Sequence, residues 1–110
     1  MDFKLKIWLE KDEQPVFGRG LLCLLTLIRQ HGSIRRAAED LGMSYRQAWG
    51  SIKKAESRLG VKLLIKHVGG ESGGGAQLTD EARQLMLKYG DFMRDAEEAV
   101  KLVYARYFEQ

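Results

Sequence analysis

The side chains of this chain that could act on a partner are gathered between positions 29 and 67. Nine basic residues (Arg29, Arg35, Arg36, Arg46, Lys53, Lys54, Arg58, Lys62 and Lys66) stand there against three acids (Glu39, Asp40 and Glu56), a local charge of +6. Residues 1 to 28 balance four basic groups with four acids, and residues 68 to 110 hold five against eight, so the chain as a whole carries only +3. A basic block between neutral and acidic flanks is the footprint of a face that meets a polyanion through charge neutralisation and hydrogen bonding. Covalent catalysis asks for something else, a convergence of titratable groups. The sequence has one cysteine, two histidines 36 positions apart, and no carboxylate cluster beyond pairs in its last third. GGESGGG, residues 69 to 75, lacks the Gly-Lys-Ser/Thr that a phosphate-binding loop places ahead of its helix. No enzyme is expected, and no cofactor or metal.

At 110 residues, 45% hydrophobic and 30% charged, the chain has the size and balance of a single globular domain. So small a domain buries a modest core and would gain stability from a second subunit. The lone Cys23 excludes an internal disulfide; its place in a leucine run predicts that it packs as a small hydrophobe, consistent with a reducing, cytoplasmic compartment. The N-terminus interleaves charges with apolar residues, unlike a signal peptide. No apolar run approaches the ~20 residues of a membrane helix, so no membrane partner is expected.

The elements that must position the basic block follow from periodicity. Phe3, Leu5, Ile7 and Leu9 alternate with polar or charged residues and Trp8, which predicts a strand over 3–9 followed by a loop at 11–15. GRGLLCLLTLIRQ predicts a mostly buried helix from about 18 to 30, closed by His31-Gly32. Ser33 caps a short helix, IRRAAEDL, that stops at Gly42 and carries Glu39 and Asp40 at the end where the dipole disfavours carboxylates. Ser44 caps a third helix, from Tyr45 to about Leu59, stopped by Gly60. Two such helices in tandem form a helix-turn-helix over about 33–60. In the second of them Ala48, Ile52, Ala55 and Leu59 form an inward stripe, leaving Arg46, Gln47, Gly50, Lys53, Lys54 and Ser57 outside. VKLLIKHV, the glycine-rich run and AQL predict a strand, a hairpin tip and a returning strand, a wing over about 61–78. Thr79 caps a last helix from 80 to about 108. Its apolar positions Ala82, Leu85, Tyr89, Phe92, Met93, Ala96, Val100, Val103 and Tyr107 make too long a stripe for one small core to cover. Those from Leu85 onward are the expected contacts of a homodimer, the alternative being a helix folded back over its own domain. The fold class is thus mostly α with a small β-wing, a winged helix-turn-helix with a long C-terminal dimerisation helix.

In order and spacing, GSIRRAAEDLGMSYRQAWGSIKKAESRLGVKLL followed by GGESGGGAQLT resembles the N-terminal DNA-binding domain of the molybdate-responsive ModE regulators, and more distantly the winged helix of LysR-type regulators. The most specific pieces are Gly32-Ser33, Ser44-Tyr45, Ala48-Trp49, the glycine-rich run and Leu78-Thr79. The resemblance covers roughly residues 15 to 90 and implies transcriptional regulation in a prokaryotic cytoplasm by a dimer made through the first and last helices. It also implies a departure: full-length regulators of that kind carry a C-terminal molybdate-binding module, and this sequence ends near where the module would begin. No molybdate site can be identified in this chain, which reads as the DNA-binding part alone. Asp80 and Ala82 replace the proline and glycine that relatives often have after the Leu-Thr pair, which favours a continuous last helix.

A helix of this kind enters the major groove of double-stranded DNA by its N-terminal turn. Arg46 would then read guanine, Gln47 adenine or a phosphate, and Ser44 and Tyr45 the backbone or a thymine methyl. Lys53 and Lys54, further along, suit phosphates, as do Arg35 and Arg36 behind the Ser33 cap. Lys66 and His67 would flank the minor groove from the wing, His67 as a plain wing residue and not a pH sensor. Trp49 is either core, the commoner fate of a tryptophan in a small domain, or a DNA contact. A dimer sets two such helices about 34 Å apart, or a multiple, and so predicts an inverted-repeat operator. The rival reading is a winged helix that binds protein without reading DNA.

Overall fold

The computed structural model of the chain describes residues 1–67 and 75–109. The expected glycine-rich tip, apart from Gly75, lies outside the described residues. The order of elements is β1 (Leu9–Lys11), β2 (Gln14–Phe17), α1 (Arg19–His31), α2 (Ile34–Asp40), α3 (Tyr45–Leu59), β3 (Leu64–His67), β4 (Gly75–Leu78) and α4 (Asp80–Phe108). Among these, no helix is long and apolar enough to cross a membrane.

Three helix starts and two helix ends fall where the sequence supplies the chemistry. The Ser33 hydroxyl accepts from the Arg36 amide, Ser44 from Gln47, and Thr79 from Ala82, satisfying amides that a helix N-terminus leaves without partners. Gly32 and Gly60, both left-handed, close α1 and α3 at a φ where a side chain would be strained. The core is built from all four helices and the strands: Leu24, Leu25 and Ile28 of α1, Ala37 and Ala38 of α2, Ala48 and Ile52 of α3, and Ala82, Met86 and Tyr89 of α4 are all buried in one cluster. The stripe expected along α3 is the face that packs inward. Asp40, poorly placed for its helix dipole, has its carboxylate 2.7 Å from His31 Nε2, which ties the end of α2 to the end of α1.

Three expectations need correcting. Residues 3 to 8 are not a paired strand: they keep the alternation of half-buried and exposed side chains, but no strand lies beside them to bond with. They run against α4 instead, the Phe3 ring 5.0 Å from that of Tyr104 and the Ile7 carbonyl accepting from the Tyr89 hydroxyl at 2.7 Å. Pairing starts only at Leu9, and the expected loop at 11–15 is mostly the tight turn and second strand of an antiparallel hairpin, Lys11 opposite Gln14. The turn was hidden because Asp12 and Glu13 both take positive φ (52° and 65°) without any glycine to announce it. Cys23, finally, is exposed rather than packed, since the inward face of α1 is set by Leu24, Leu25 and Ile28.

The wing pairs β3 with β4 antiparallel, Leu64 opposite Leu78 and His67 opposite Gly75. Its return strand docks on the end of α1, where the Ala76 amide donates to the Gly32 carbonyl. A Cβ on Gly75 would stand 3.0 Å from that same oxygen, so glycine is what lets the strand come this close. α4 then leaves the domain: its buried residues, Ala82, Met86 and Tyr89, all fall within its first ten positions. The molecule is 61 Å long by 29 by 21 Å because the remaining turns of α4 extend past the core.

Candidate nucleic-acid interface

The N-terminal turn of α3 is closed by its own side chains. Ser44 and Gln47 close a reciprocal box, the Ser44 hydroxyl accepting from the Gln47 amide at 3.0 Å and the Gln47 side-chain oxygen accepting from the Ser44 amide at 3.2 Å. Gln47 is exposed but its acceptor is therefore engaged, leaving its amide N–H groups to face outward chemistry. Arg46 beside it is exposed, and Gly50 one turn on adds no bulk, since a Cβ there would meet nothing.

Along the flank of α3 that faces the wing, Tyr45, Trp49 and Lys53 recur every four residues and lie in one line. Onto this line comes Lys66 from β3: its ammonium donates to the Tyr45 hydroxyl at 2.7 Å and stands 4.8 Å from the Trp49 ring centre and 5.4 Å from that of Tyr45. Arg35 of α2 covers Tyr45 at 5.1 Å, and Lys53 covers Trp49 at 5.2 Å while its ammonium lies 3.5 Å from a Glu56 oxygen. Three cations from three elements thus share two aromatic rings, each contact worth about 0.5–1 kcal/mol at an exposed site. Trp49 is half-buried against the core, the first of the two fates weighed for it, and its ring also lies near the two lysines. Between α2 and the wing this arrangement encloses a cleft of about 510 Å³, lined by Ser33, Arg35, Arg36, Tyr45, Lys66 and His67 among others.

The remaining expected residues lie around this centre. Arg36 is exposed at the start of α2, and the Ser33 side chain is occupied by its capping bond. His67 is exposed on β3, its Nε2 2.9 Å from the Gln77 side-chain oxygen across the strand pair. Lys54 is exposed on the far edge of α3, toward the β1–β2 hairpin, so it stands apart from the Tyr45–Trp49 line. What the residues alone did not reveal is the mutual contact of Arg35, Tyr45, Trp49, Lys53 and Lys66. The signal for half of it was present, a four-residue recurrence of aromatic, aromatic and cation on one helix, but the arrival of Lys66 depends on the path of the wing.

Of the residues expected to join two subunits, Tyr89 belongs to its own core: it is 2% exposed, with its ring edge-on to Phe17 at 5.1 Å. Leu85 and Met93 are half-buried against that core. Phe92, Val103 and Tyr107 are exposed, with Ala96 and Val100 half-buried between them.

Comparison with known proteins agrees with this geometry. Residues 20–83 match the family model described as bacterial regulatory helix-turn-helix protein, lysR family. The chain is 33% identical over 87 residues to the molybdenum transport protein ModE of Azotobacter vinelandii, an alignment covering 79% of this chain and 32% of that protein. It is 37% identical over 68 residues to the DNA-binding transcriptional dual regulator ModE of Escherichia coli K12, covering 62% of this chain and 26% of the relative. The chain thus spans about a third or less of the length of these curated relatives. Among solved structures, the CbnR DNA-binding domain in complex with DNA superposes with a TM-score of 0.59 at 20% identity, over 79% of this chain and 94% of that one. Lactococcus lactis ZitR superposes with a TM-score of 0.55 at 18% identity, over 96% and 73%. By its matched residues, and with the fold those neighbours share, the chain belongs to the lysR family of bacterial regulatory helix-turn-helix proteins.

Proposed function

We propose that this chain is a sequence-specific reader of double-stranded DNA in a transcriptional regulator, working in the cytoplasm as a homodimer on an inverted-repeat operator. The observation that carries the reading is the convergence of Arg35, Lys53 and Lys66 on the rings of Tyr45 and Trp49, beside an exposed helix start that bears Arg46. A protein-binding face has no need to gather cations from three elements against its own like charges; a phosphate backbone repays that gathering. In this reading α3 enters the major groove, Arg46 pairs with guanine, and Gln47, through its amide N–H groups, meets an acceptor on a base or phosphate. Arg35, Arg36, Lys53, Lys54 and Lys66 lie along the backbone, and His67 rides with the wing. The relatives' names, which concern molybdenum transport and DNA-binding regulation, support the regulatory part; the proposal for this chain concerns DNA alone.

Selection of bound duplexes from a random pool, followed by gel-shift competition of the recovered sequence against random DNA at about 0.15 M salt, tests the reading. Specific readers prefer their site by roughly 10³-fold or more, and the logarithm of affinity should fall with the logarithm of salt by about 0.9 for each phosphate neutralised. Equal competition by random DNA, or no enriched sequence, would reject it in favour of a protein-binding winged helix.

A further inference from the structure

Among the described residues two polar side chains are buried, Glu56 and Thr79, and both stand at the root of the wing. Thr79 does two jobs at once: its hydroxyl caps α4 by accepting from the Ala82 amide at 3.1 Å and donates to the Lys62 carbonyl at 2.7 Å. Glu56, in the last turn of α3, accepts with one oxygen from the consecutive amides of Leu63 and Leu64, at 2.8 and 3.2 Å, at the point where β3 begins. Its other oxygen is the one 3.5 Å from the Lys53 ammonium. Taking a carboxylate out of water is costly, and a neutral acceptor could satisfy two amides. The charged group adds a link to Lys53. A closed circuit results: Glu56 to Lys53, Lys53 over Trp49, Trp49 under Lys66, and Lys66 back along β3 to the amides that Glu56 holds.

We infer that Glu56 is a positioning residue for DNA binding: by fixing the backbone at Leu63 and Leu64 it sets the angle at which the wing leaves α3, and with it the place of Lys66. The geometry makes the angle matter. Lys66 is three residues beyond Leu63, about 10 Å of strand, so a rotation of roughly 20° at the root displaces it by ~3 Å. That exceeds the whole tolerance of the Lys66–Tyr45 hydrogen bond. Thr79 holds the facing side of the root but touches neither Lys53 nor the aromatic line, which leaves the coupling to Glu56.

The inference rests on the DNA-reading proposal, and a double-mutant cycle separates the two. Affinity for the duplex recovered by selection on the wild-type chain is measured for Glu56→Ala, which removes the acceptor of both amides, Lys66→Ala and Arg46→Ala, and for Glu56→Ala combined with each of the others. Thermal unfolding confirms that each variant is folded; if Glu56→Ala is not, Glu56→Asp, which keeps the charge but is one methylene short of the amides, takes its place. Lys66→Ala should weaken the wild type roughly tenfold and the Glu56 variant only about twofold, because Lys66 is already misplaced there. Arg46→Ala should cost the same in both backgrounds. Equal losses for Lys66→Ala in the two backgrounds, or coupling of equal size to Arg46, would overturn the positioning role while leaving DNA reading intact. A wild-type chain that selects no sequence overturns the reading itself and the inference with it, whereas one that selects a sequence but is indifferent to Lys66→Ala overturns the inference alone.

Discussion

At the scale of single residues the interface divides into groups that are held and groups that are free. Arg46 has no ion-pair or hydrogen-bonding partner among the described residues that would restrain it, and it stands in the turn of α3 that a groove would admit. Arg46→Ala should therefore cost roughly 1–3 kcal/mol on the selected duplex and relax preference at one base pair. Equal weakening on random DNA, read in the same titration, would reassign it to a phosphate. Tyr45 is held: its hydroxyl is the acceptor for Lys66, and its ring is the platform for Arg35. Tyr45→Phe keeps the platform and removes the acceptor, so affinity should fall a few-fold, and alike on selected and random duplexes, because the lost hydrogen bond, worth about 1 kcal/mol, orients a lysine proposed to neutralise phosphate. A loss confined to the selected duplex would make the Tyr45 hydroxyl a base contact. Here the sequence was informative about residue type and silent about partners. The exposure of Arg46 and Lys53 was legible from the outward face of α3, whereas the engagement of Gln47 in a cap and of Lys66 with Tyr45 needed coordinates, the first because one side-chain oxygen can close a cap or face outward, the second because it bridges 21 residues of chain.

At the scale of elements, legibility followed how local the determining contacts are. The helices were readable because their starts and stops are written in adjacent residues, Ser33, Ser44 and Thr79 before them and Gly32 and Gly60 after. The N-terminal segment was not, because alternation reports which side is buried and not whether a neighbouring strand exists; here the buried side lies on α4. The first hairpin was missed for a different reason. Its two-residue turn has the backbone of an Asn-Gly turn but is built from Asp12 and Glu13, and glutamate in the left-handed region costs about 1 kcal/mol relative to glycine. Glu13→Gly, alone or with Asp12→Asn, should thus raise stability by about 1 kcal/mol, read as a higher denaturation midpoint with an unchanged slope in urea. Both residues are exposed and the hairpin touches the rest of the domain through Val16, Phe17 and the Arg58 bond to the Pro15 carbonyl, so no lost contact should offset the gain. An unchanged or lower midpoint would mean that the turn's positive angles carry no strain.

At the scale of the whole molecule the question is what a 29-residue helix does when its buried residues all fall within its first ten positions. α4 spans about 43 Å at 1.5 Å per residue, in a molecule whose two shorter axes are only 29 and 21 Å. Its distal apolar side is partly covered from within, since Phe3 lies on Tyr104, but Phe92, Val103 and Tyr107 stay exposed in line with the buried Tyr89. A stripe that begins in the core and continues past it is the arrangement expected of a helix shared by two subunits, and it matches the need of two recognition helices for a fixed spacing on an inverted repeat. Val103→Glu tests this at one point. Val103 is 43% exposed, so the change should alter the stability of the isolated domain by no more than about 0.5 kcal/mol, and glutamate retains helix propensity. In a dimer the same change would bury two carboxylates at a twofold contact, which costs several kcal/mol and shifts the equilibrium to monomer. Sedimentation should then show a dimer for the wild type and a monomer for the variant, with circular dichroism unchanged. The selected duplex should be bound more weakly by the variant while random DNA is bound nearly as before, because only the inverted repeat requires two copies held in register. A variant that stays dimeric would move the subunit contact to another face, and a wild-type chain that is monomeric yet still prefers an inverted repeat would mean that DNA itself brings the two copies together.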